Sequence, residues 1–336
     1  MTVTSFRDPP AKQVVRERWN TPFLKYLHNT YGFRYRYMGL PGTDLLDVKL
    51  WADMIDEVIA FEIPCSGPDE RAWVKQLRTN LRKLKIEGVA YFGSFEEVVI
   101  LRKDRDGQRY SQGKVITLYN LDFCDEISST IPTLEHGKQL WRFEALRQIL
   151  QDQKECYRRD GRPSHFIILL TVRNQIEASK IRDFLSNNLL SETQSYYSAC
   201  ESEKPVPTHG PLCGTHAWSL KAFLYNTLRG YFTTPNVSAL FFPIIKYIGT
   251  PISLRGGKLL KSPMLHWMLL CKFGALQNPT PSFYPTDFLS RAISLAVEET
   301  DIVTQAEPGE MTWPIRHLSS VEWFQSFKHN FFTNGI

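Results

Sequence analysis

RYRYMGLPGTDLLDVKLWADMIDEVIAFE, residues 34–62, is the stretch of this chain that decides the fold. It begins with an aromatic segment typical of a short strand, Arg34 to Met38, and continues into a tight turn, Gly39 to Gly42. The apolar spacing then predicts a helix over Thr43 to Met54 and a second strand over Glu57 to Phe61. A strand, a tight turn, a helix and a second strand together indicate a βαβ unit.

Two features of this unit point to a ligand. The turn residues are Gly39, Leu40, Pro41 and Gly42, and two glycines in a turn let the backbone come close to a bound molecule. The turn also leads to a helix N-terminus, which attracts polar or anionic groups. Glu62 directly follows the second strand, where the ribose of a nucleotide lies in a nucleotide-binding half-fold. The unit therefore predicts a nucleotide-type cofactor, and a plain tight turn is the alternative explanation of the glycines.

Strand and helix patterns alternate through the first 189 residues, after a predicted amphipathic helix over Ala11 to Thr30. Such alternation predicts a parallel, doubly wound sheet with ligands at the carboxyl ends of its strands. The further strands are predicted at Gly88–Phe92, Lys114–Asn120 and His165–Val172, and the helices at Asp69–Leu84, Gly137–Tyr157 and Gln175–Leu189.

The alternation stops after Leu189, where a polar segment with one predicted helix begins. Two apolar strands, Val237–Ile248 and Pro263–Phe273, follow with a Gly-rich connection that indicates an antiparallel hairpin. We therefore divide the chain into a core of residues 1–189 and 237–274, an insertion of residues 190–236, and a helical C-terminal extension of residues 275–336.

The composition sets limits on the class of protein. A chain of 336 residues accommodates one large domain with insertions or two domains, and its 43% hydrophobic and 22% charged residues are ordinary for a globular protein. Six scattered cysteines without a CxxC pair indicate reduced thiols and a cytoplasmic protein. The N-terminus is polar and the apolar runs are too short for a bilayer, so no membrane association is predicted. The net charge of +5 permits an anionic partner without requiring one.

The order of elements resembles that of the class I S-adenosylmethionine-dependent methyltransferases, over residues 34–189 and 237–273. That family has a seven-stranded sheet whose last strand runs against the others. The resemblance implies an α/β fold with a doubly wound, mostly parallel seven-stranded sheet and a C-terminal antiparallel hairpin. It also implies S-adenosylmethionine as the cofactor.

The resemblance assigns cofactor-binding positions to three places in this chain. The turn Gly39–Leu40–Pro41–Gly42 is similar to the family's glycine turn beneath the methionine part of the cofactor, and Glu62 is similar to the family's ribose-binding acid. Gly93, Ser94 and Phe95 fall where the family lines the adenine. This chain departs from the family in having only two glycines in the turn, with Met38 where an acid is often found.

The resemblance also places a catalytic motif after the fourth strand. Asn120-Leu121-Asp122-Phe123 is similar to the Asp/Asn-Pro-Pro-Tyr/Phe motif of amino-methylating members. It implies that Asn120 accepts a hydrogen bond from a target amine, and that Phe123 stacks on a flat substrate such as a flipped base. Asp122 replaces a proline of the motif, and it either accepts a proton or works in the loop that precedes the next helix.

The leading hypothesis is S-adenosylmethionine-dependent methyl transfer, with nucleic acid preferred to a small metabolite as the substrate. The alternative is a divergent, methyltransferase-like binding or regulatory subunit of a bacterial anti-phage defence complex, which keeps the fold and has lost turnover. The aromatic residues of the tail then either dock a protein partner or pack on the chain's own core. They are Trp323, Phe324, Phe327, Phe331 and Phe332.

Two further clusters have ordinary explanations. Cys200, His209, Cys213 and His216 are zinc-compatible residue types, but their spacing fits no ligand pattern and no metal is predicted. The basic residues on the helix over Asp69–Leu84 fit a solvated helix face better than a nucleic-acid contact.

Overall fold

The computed structural model describes residues 10–62, 70–123, 127, 130–132, 139–173, 237–241, 245–248, 252–253, 259–260 and 263–273. Several sequence predictions lie outside these residues: the helix over Gln175–Leu189, the insertion, the C-terminal extension, the four zinc-compatible residues and the aromatic tail. Within the described residues, no helix is long and apolar enough to cross a membrane.

The described chain begins with a nearly continuous helical segment and then alternates strands and helices. The helices are α1 (Pro10–Val14), a π-helical segment (Val15–Asn20), α2 (Thr21–Tyr31), α3 (Leu46–Leu50), α4 (Glu70–Leu84), α5 (Phe95–Leu101) and α6 (Arg142–Asp160). The strands of the main sheet are β1 (Tyr35–Gly39), β2 (Ile55–Glu62), β3 (Glu87–Phe92), β4 (Leu118–Asp122), β7 (His165–Arg173), β8 (Val237–Phe241), β9 (Ile245–Ile248) and β12 (Pro263–Phe273). Two small ribbons pair β5 (Thr130–Pro132) with β6 (Gln139–Trp141) and β10 (Ile252–Ser253) with β11 (Leu259–Leu260).

The main sheet has the strand order β3-β2-β1-β4-β7-β12-β8, and β9 also pairs with β12. The first five strands in this order are parallel, whereas β12 is antiparallel to β7, β8 and β9. The predicted α/β class and mostly parallel sheet are therefore confirmed. Among the described residues the sheet has eight strands where seven were predicted, because the predicted strand over 237–248 is divided into β8 and β9.

The strand order reverses between β1 and β4. The chain moves outward from β1 through β2 to β3 on one side, and then crosses back so that β4 lies on the other side of β1. In open α/β sheets, ligands bind in the crevice outside the carboxyl ends of the strands at such a reversal. The strand order therefore predicts a ligand site at the carboxyl ends of β1 and β4.

Several local predictions differ from the structure. The helix predicted over Gly137–Tyr157 is α6 (Arg142–Asp160), and Gln139–Trp141 before it forms β6. The helix predicted over Thr43–Met54 is only the short α3. It begins no earlier than Leu46 because Leu45 has a left-handed backbone, with φ of 55°. Strand β4 begins at Leu118 rather than Lys114 and continues through Asp122, so Asn120 lies within the strand. Helix α5 was not predicted.

The core consists of two apolar clusters formed by alternating residues of the same strands. Tyr37, Val58 and Leu118 belong to the cluster that includes α2, whereas Met38, Ile59 and Tyr119 belong to the cluster that includes α5 and α6. Neighbouring side chains in a strand point to opposite faces, so each strand contributes to both layers. A sheet buried on both faces explains the nearly continuous apolar sequences of β2 and β7.

The backbones of β1 and β4 approach closely where Gly39 pairs with Asn120. A Cβ atom at Gly39 would overlap the carbonyl oxygen of Asn120 and would lie 2.8 Å from the hydroxyl oxygen of Tyr37. Only glycine fits here. The requirement comes from the chain's own strands, so Gly39 does not by itself indicate a bound ligand.

We expect Gly39→Ala to lower the free energy of unfolding by about 3 kcal/mol, because neither the Asn120 backbone nor the buried Tyr37 ring can move aside easily. Urea denaturation measures the loss. Gly107→Ala is the control: Gly107 has a positive φ but open space around its Cβ position, so we expect a loss of about 1 kcal/mol there. Equal losses in the two variants would contradict the steric explanation.

Candidate site at the carboxyl ends of β1 and β4

The predicted site residues of β1 and β4 do come together. Gly39 and Asn120 are paired in register, and the backbone nitrogen of Leu40 donates a hydrogen bond to the carbonyl oxygen of Asn120 at 3.1 Å. Gly42 follows in a left-handed conformation with open space around its Cβ position, which explains a glycine in the turn. The turn and the end of β4 therefore form one structural unit.

The Asn120 side chain is held by neighbours that the sequence did not indicate. Its Nδ2 donates to Asp47 Oδ2 at 2.6 Å and to the Tyr37 hydroxyl at 3.3 Å. Asp47 lies in α3 and also forms a buried ion pair with Arg16 of the π-helical segment. Among the described residues, Asn120 Oδ1 accepts no hydrogen bond.

Asp122 at the end of β4 is paired with Lys12 of α1. The Asp122 side chain is 10% exposed, whereas the Lys12 side chain is 26% exposed. The N-terminal helical segment therefore brings two positive charges, Lys12 and Arg16, to two carboxylates at the reversal of strand order. The predicted catalytic acid is already engaged in an ion pair.

Burial is the largest cause of the pKa shifts of Asp47 and Tyr37 in this cluster. Burial raises the pKa of the Asp47 carboxyl, and the positive charges of Arg16 and Lys12 act against that rise. Burial likewise raises the pKa of the Tyr37 hydroxyl, with a further contribution from the charge of Asp47, so Tyr37 is neutral at physiological pH. Tyr37 thus acts in the cluster as a neutral hydroxyl.

His266 of β12 extends the same network across the sheet. Its Nδ1 lies 2.8 Å from Thr171 Oγ1 on β7, and its Nε2 lies 2.9 Å from Asn20 Oδ1 in the π-helical segment. Burial lowers the pKa of His266 to about 4, so the ring is neutral near pH 7. Both ring nitrogens have partners, which indicates that His266 ties the helical segment to the sheet.

Glu62 differs from these residues because its carboxylate has no hydrogen-bond or ion-pair partner among the described residues. It is the last residue of β2 and is only 9% exposed. Burial raises the pKa of Glu62 to about 7. A buried acid without a partner is destabilising once it is ionised, and such groups are concentrated at functional sites.

The residues predicted to line an adenine lie beside Glu62, but their side chains have structural roles. Gly93 forms an isolated bridge with Glu62. Ser94 caps α5: its Oγ accepts from the Glu97 backbone nitrogen at 3.0 Å, and the Glu97 side chain accepts from the Ser94 backbone nitrogen at 3.0 Å. Phe95 is fully buried, with its ring centroid 5.4 Å from that of Phe61.

Phe123 is also enclosed. It is 3% exposed, and the guanidinium of Arg142 lies 4.2 Å from the centroid of its ring. Arg142 in turn forms a buried ion pair with Glu96, with Nε 2.7 Å from Oε1. A flat substrate can stack on the face of Phe123 under Arg142 only if Arg142 moves.

Sequence patterns missed most of the groups that surround Asn120 and Asp122. Lys12, Arg16 and Asp47 are separated from them by tens of residues, and an ordinary amphipathic pattern does not reveal which polar residues of a helix are paired. Helix α5 did have a signal. Ser94 followed by Glu97 is a capping-box pattern that marks the start of a helix.

We expect Glu62→Gln to stabilise the protein at pH 8. The folded-state pKa of about 7 lies above the ordinary value of 4.5. The loss of folding free energy caused by ionised Glu62 therefore grows as the pH rises from 4.5 to 7, and it is fully present above pH 7. Removing the charge should therefore raise the free energy of unfolding by up to about 3 kcal/mol at pH 8 and by little at pH 5.

Urea denaturation at the two pH values measures this difference. Glu144→Gln is the matched control, since Glu144 is exposed on α6, and a surface substitution of this kind changes stability by about 0.5 kcal/mol at most. A Glu62→Gln variant that is no more stable than wild type at pH 8 would show that the carboxylate has a partner in solution.

No protein-family model and no curated protein matches this sequence. Several solved structures are similar to it, many of them methyltransferases. An rRNA methylase from Streptococcus thermophilus is 9% identical, with 77% of this chain and 97% of that chain covered and a TM-score of 0.36. The O-methyltransferase TomG from Streptomyces achromogenes, solved in complex with S-adenosylmethionine, is 11% identical. The match covers 79% of this chain and 88% of TomG, with a TM-score of 0.36. A precorrin-8w decarboxylase from Methanobacterium thermoautotrophicum is 13% identical. The match covers 76% of this chain and 89% of the decarboxylase, with a TM-score of 0.28. At these identities and TM-scores, the fold assignment depends on the strand order of the sheet itself.

Proposed function

We propose that this chain binds S-adenosylmethionine and transfers its methyl group to an acceptor, with nucleic acid as the acceptor class. The proposal depends mainly on one observation: Glu62 is buried at the carboxyl end of β2, and its carboxylate has no partner among the described residues. A ribose presents two hydroxyl donors, and a carboxylate at this point of a doubly wound sheet is suited to accept both.

The other cofactor contacts follow from the places of the predicted residues in the fold. The turn Gly39 to Gly42 continues from β1 and would lie beneath the amino-acid end of the cofactor. The segment after β3, beginning at Gly93, is next to Glu62 and would border the adenine through its backbone, because the Ser94 and Phe95 side chains are already engaged. These contacts use backbone groups more than side chains.

When bound, S-adenosylmethionine would supply an electrophilic methyl group on its sulfonium. The chain's own contribution would be positioning and charge stabilisation. Asn120 Oδ1, which accepts no hydrogen bond in the described chain, would accept one from a target amine and orient its lone pair. Asp122 would take up the proton that the amine loses on methylation, which requires that its ion pair with Lys12 open.

Nucleic acid as the acceptor is supported by charge. The chain has a formal charge of +5, which favours a phosphate backbone over a small metabolite, although such contacts would carry no sequence information.

A second candidate function is a methyltransferase-like binding subunit without turnover, as in a defence complex. It is favoured by the state of two predicted catalytic residues: Asp122 is already paired with Lys12, and Phe123 lies beneath Arg142. The two candidates share cofactor binding and differ in methyl transfer.

For binding, we expect titration calorimetry to show that the full chain binds S-adenosylhomocysteine and that Glu62→Ala weakens binding by about tenfold or more, because two charge-assisted hydrogen bonds are lost. Glu144→Ala is the control, since Glu144 is exposed and far from β2 in sequence. Binding that is absent in wild type, or equal in wild type and Glu62→Ala, would contradict the proposed cofactor site.

For turnover, we expect radiolabelled methyl groups to pass from S-adenosylmethionine to RNA or DNA, and we expect Asn120→Ala to reduce the rate about 100-fold. The exposed residue Asn29 provides the matched control, Asn29→Ala, which should leave the rate unchanged. Cofactor binding without transfer to any nucleic acid would favour the binding subunit instead.

A further inference from the structure

The side-chain amide of Asn120 can face its neighbours in two ways, because its oxygen and nitrogen ends have almost the same shape. Its hydrogen-bond partners therefore decide which end points where. The Nδ2 end lies 2.6 Å from Asp47 Oδ2 and 3.3 Å from the Tyr37 hydroxyl oxygen. A hydroxyl both accepts and donates, so Tyr37 is compatible with either orientation. An ionised carboxylate only accepts, so Asp47 permits only the orientation with Nδ2 toward α3.

Asp47 fixes the amide in this way only while it is ionised, since a protonated carboxyl group is also a donor. Burial raises the pKa of the Asp47 carboxyl, and the charge of Arg16 acts against that rise. Arg16 Nε donates to Asp47 Oδ1, whereas Oδ2 accepts from Asn120. The two oxygens of one buried carboxylate thus have separate partners, and Arg16 supplies the charge that keeps Asp47 an acceptor.

The end of the amide that is not bonded to Asp47 is Oδ1. Among the described residues, Asn120 Oδ1 accepts no hydrogen bond. Asn120 lies in β4 and pairs with Gly39 at the reversal of strand order. The bond to Asp47 therefore determines whether Asn120 presents an oxygen acceptor or an N–H donor to a ligand at this position. An amide turned the other way would present Nδ2, which cannot accept a hydrogen bond from an amine.

We infer that Asp47 is a positioning residue of the proposed methyl-transfer site: held by Arg16, it orients Asn120 so that Oδ1 accepts from an N–H group of the methyl acceptor. The inference rests on the proposed function, because it names the residue that prepares Asn120 for that acceptor. Helix α3 holds Asp47 in place, since Leu45 and Val48 on either side of it are completely buried. The short helix after the glycine turn thus has a role in the site besides packing.

Exchanging the two side chains tests the direction of this hydrogen bond. In Asp47→Asn, the oxygen of the new amide stays with Arg16, so its nitrogen faces Asn120 and the Asn120 amide must turn round. In Asn120→Asp, two carboxylates face each other. The double variant Asp47→Asn/Asn120→Asp keeps the wild-type charge, and its hydrogen bond runs from residue 47 to residue 120. The second oxygen of the new carboxylate then takes the place of Asn120 Oδ1 as the acceptor.

The rate of transfer of radiolabelled methyl groups from S-adenosylmethionine to RNA or DNA, measured on the full chain, is the first readout. We expect Asp47→Asn to lower this rate at least about tenfold, because the acceptor on Asn120 is turned away. The double variant should recover a rate within about threefold of wild type, since the two substitutions compensate each other. The control is Asp53→Asn, the same substitution at an exposed position before the amino end of β2, which should leave the rate unchanged.

The affinity for S-adenosylhomocysteine separates positioning from a merely structural role. Titration calorimetry should give the same affinity for wild type and Asp47→Asn, because Asp47 acts on the methyl acceptor and not on the cofactor. A loss of affinity that matches the loss of rate would show a structural role and overturn the inference. Circular dichroism checks that each variant folds. If Asp47→Asn does not fold, the double variant decides: an unfolded double variant, or a folded one at least about tenfold slower than wild type, would overturn the inference.

The outcomes separate this inference from the function on which it rests. Methyl transfer that is slowed by Asn120→Ala but not by Asp47→Asn would leave the proposed function in place and overturn the role of Asp47. Absence of transfer by wild type would remove the proposed function, and the role of Asp47 with it.

Discussion

The close approach of β1 and β4 at Gly39 and Asn120 is the constraint on which the rest of the structure depends. No side chain fits at Gly39, so the two strands can be neighbours only because this residue is glycine. Their pairing places β4 on the opposite side of β1 from β2, which creates the reversal of strand order. The same contact turns the chain at Leu40 and sets Asn120 and Asp122 at the edge of the crevice. One backbone contact thus fixes both the topology and the position of the candidate site.

The charges around this crevice follow two opposite patterns. Asp47 and Asp122 have cationic partners from the N-terminal segment, so their burial is compensated within the chain. Glu62 has no partner among the described residues and is destabilising when ionised. Ionised Glu62 lowers the stability of the fold, whereas Asp47 and Asp122 are neutralised by Arg16 and Lys12. We expect this combination in a site that is partly prepared for a ligand and partly occupied by the chain's own residues. Stability given up at one residue is a common property of functional sites.

Local patterns predicted the parts of the fold that depend on local physics. The apolar runs of β2 and β7 and the stripe of α4 marked buried strands and an amphipathic helix close to their observed bounds. The predicted site residues Gly39, Glu62 and Asp122 are the last residues of β1, β2 and β4, at the edge that the alternation of strands and helices already implies. The pairs between Lys12 and Asp122 and between Arg16 and Asp47 could not be predicted, since they depend on how the N-terminal helical segment packs against β4 and α3 in space. The glycine turn shows the same limit: its sequence is compatible with ligand binding, but Gly39 is required by the packing of β1 against β4.

The central claim is that the end of β2 receives a ribose. A crystal structure of the full chain with S-adenosylhomocysteine tests it most directly. The claim predicts that both ribose hydroxyl oxygens lie within about 3 Å of the Glu62 carboxylate, with the ligand extending toward the turn after β1. A ligand bound elsewhere on the chain, or one whose ribose is held by residues other than Glu62, would contradict it.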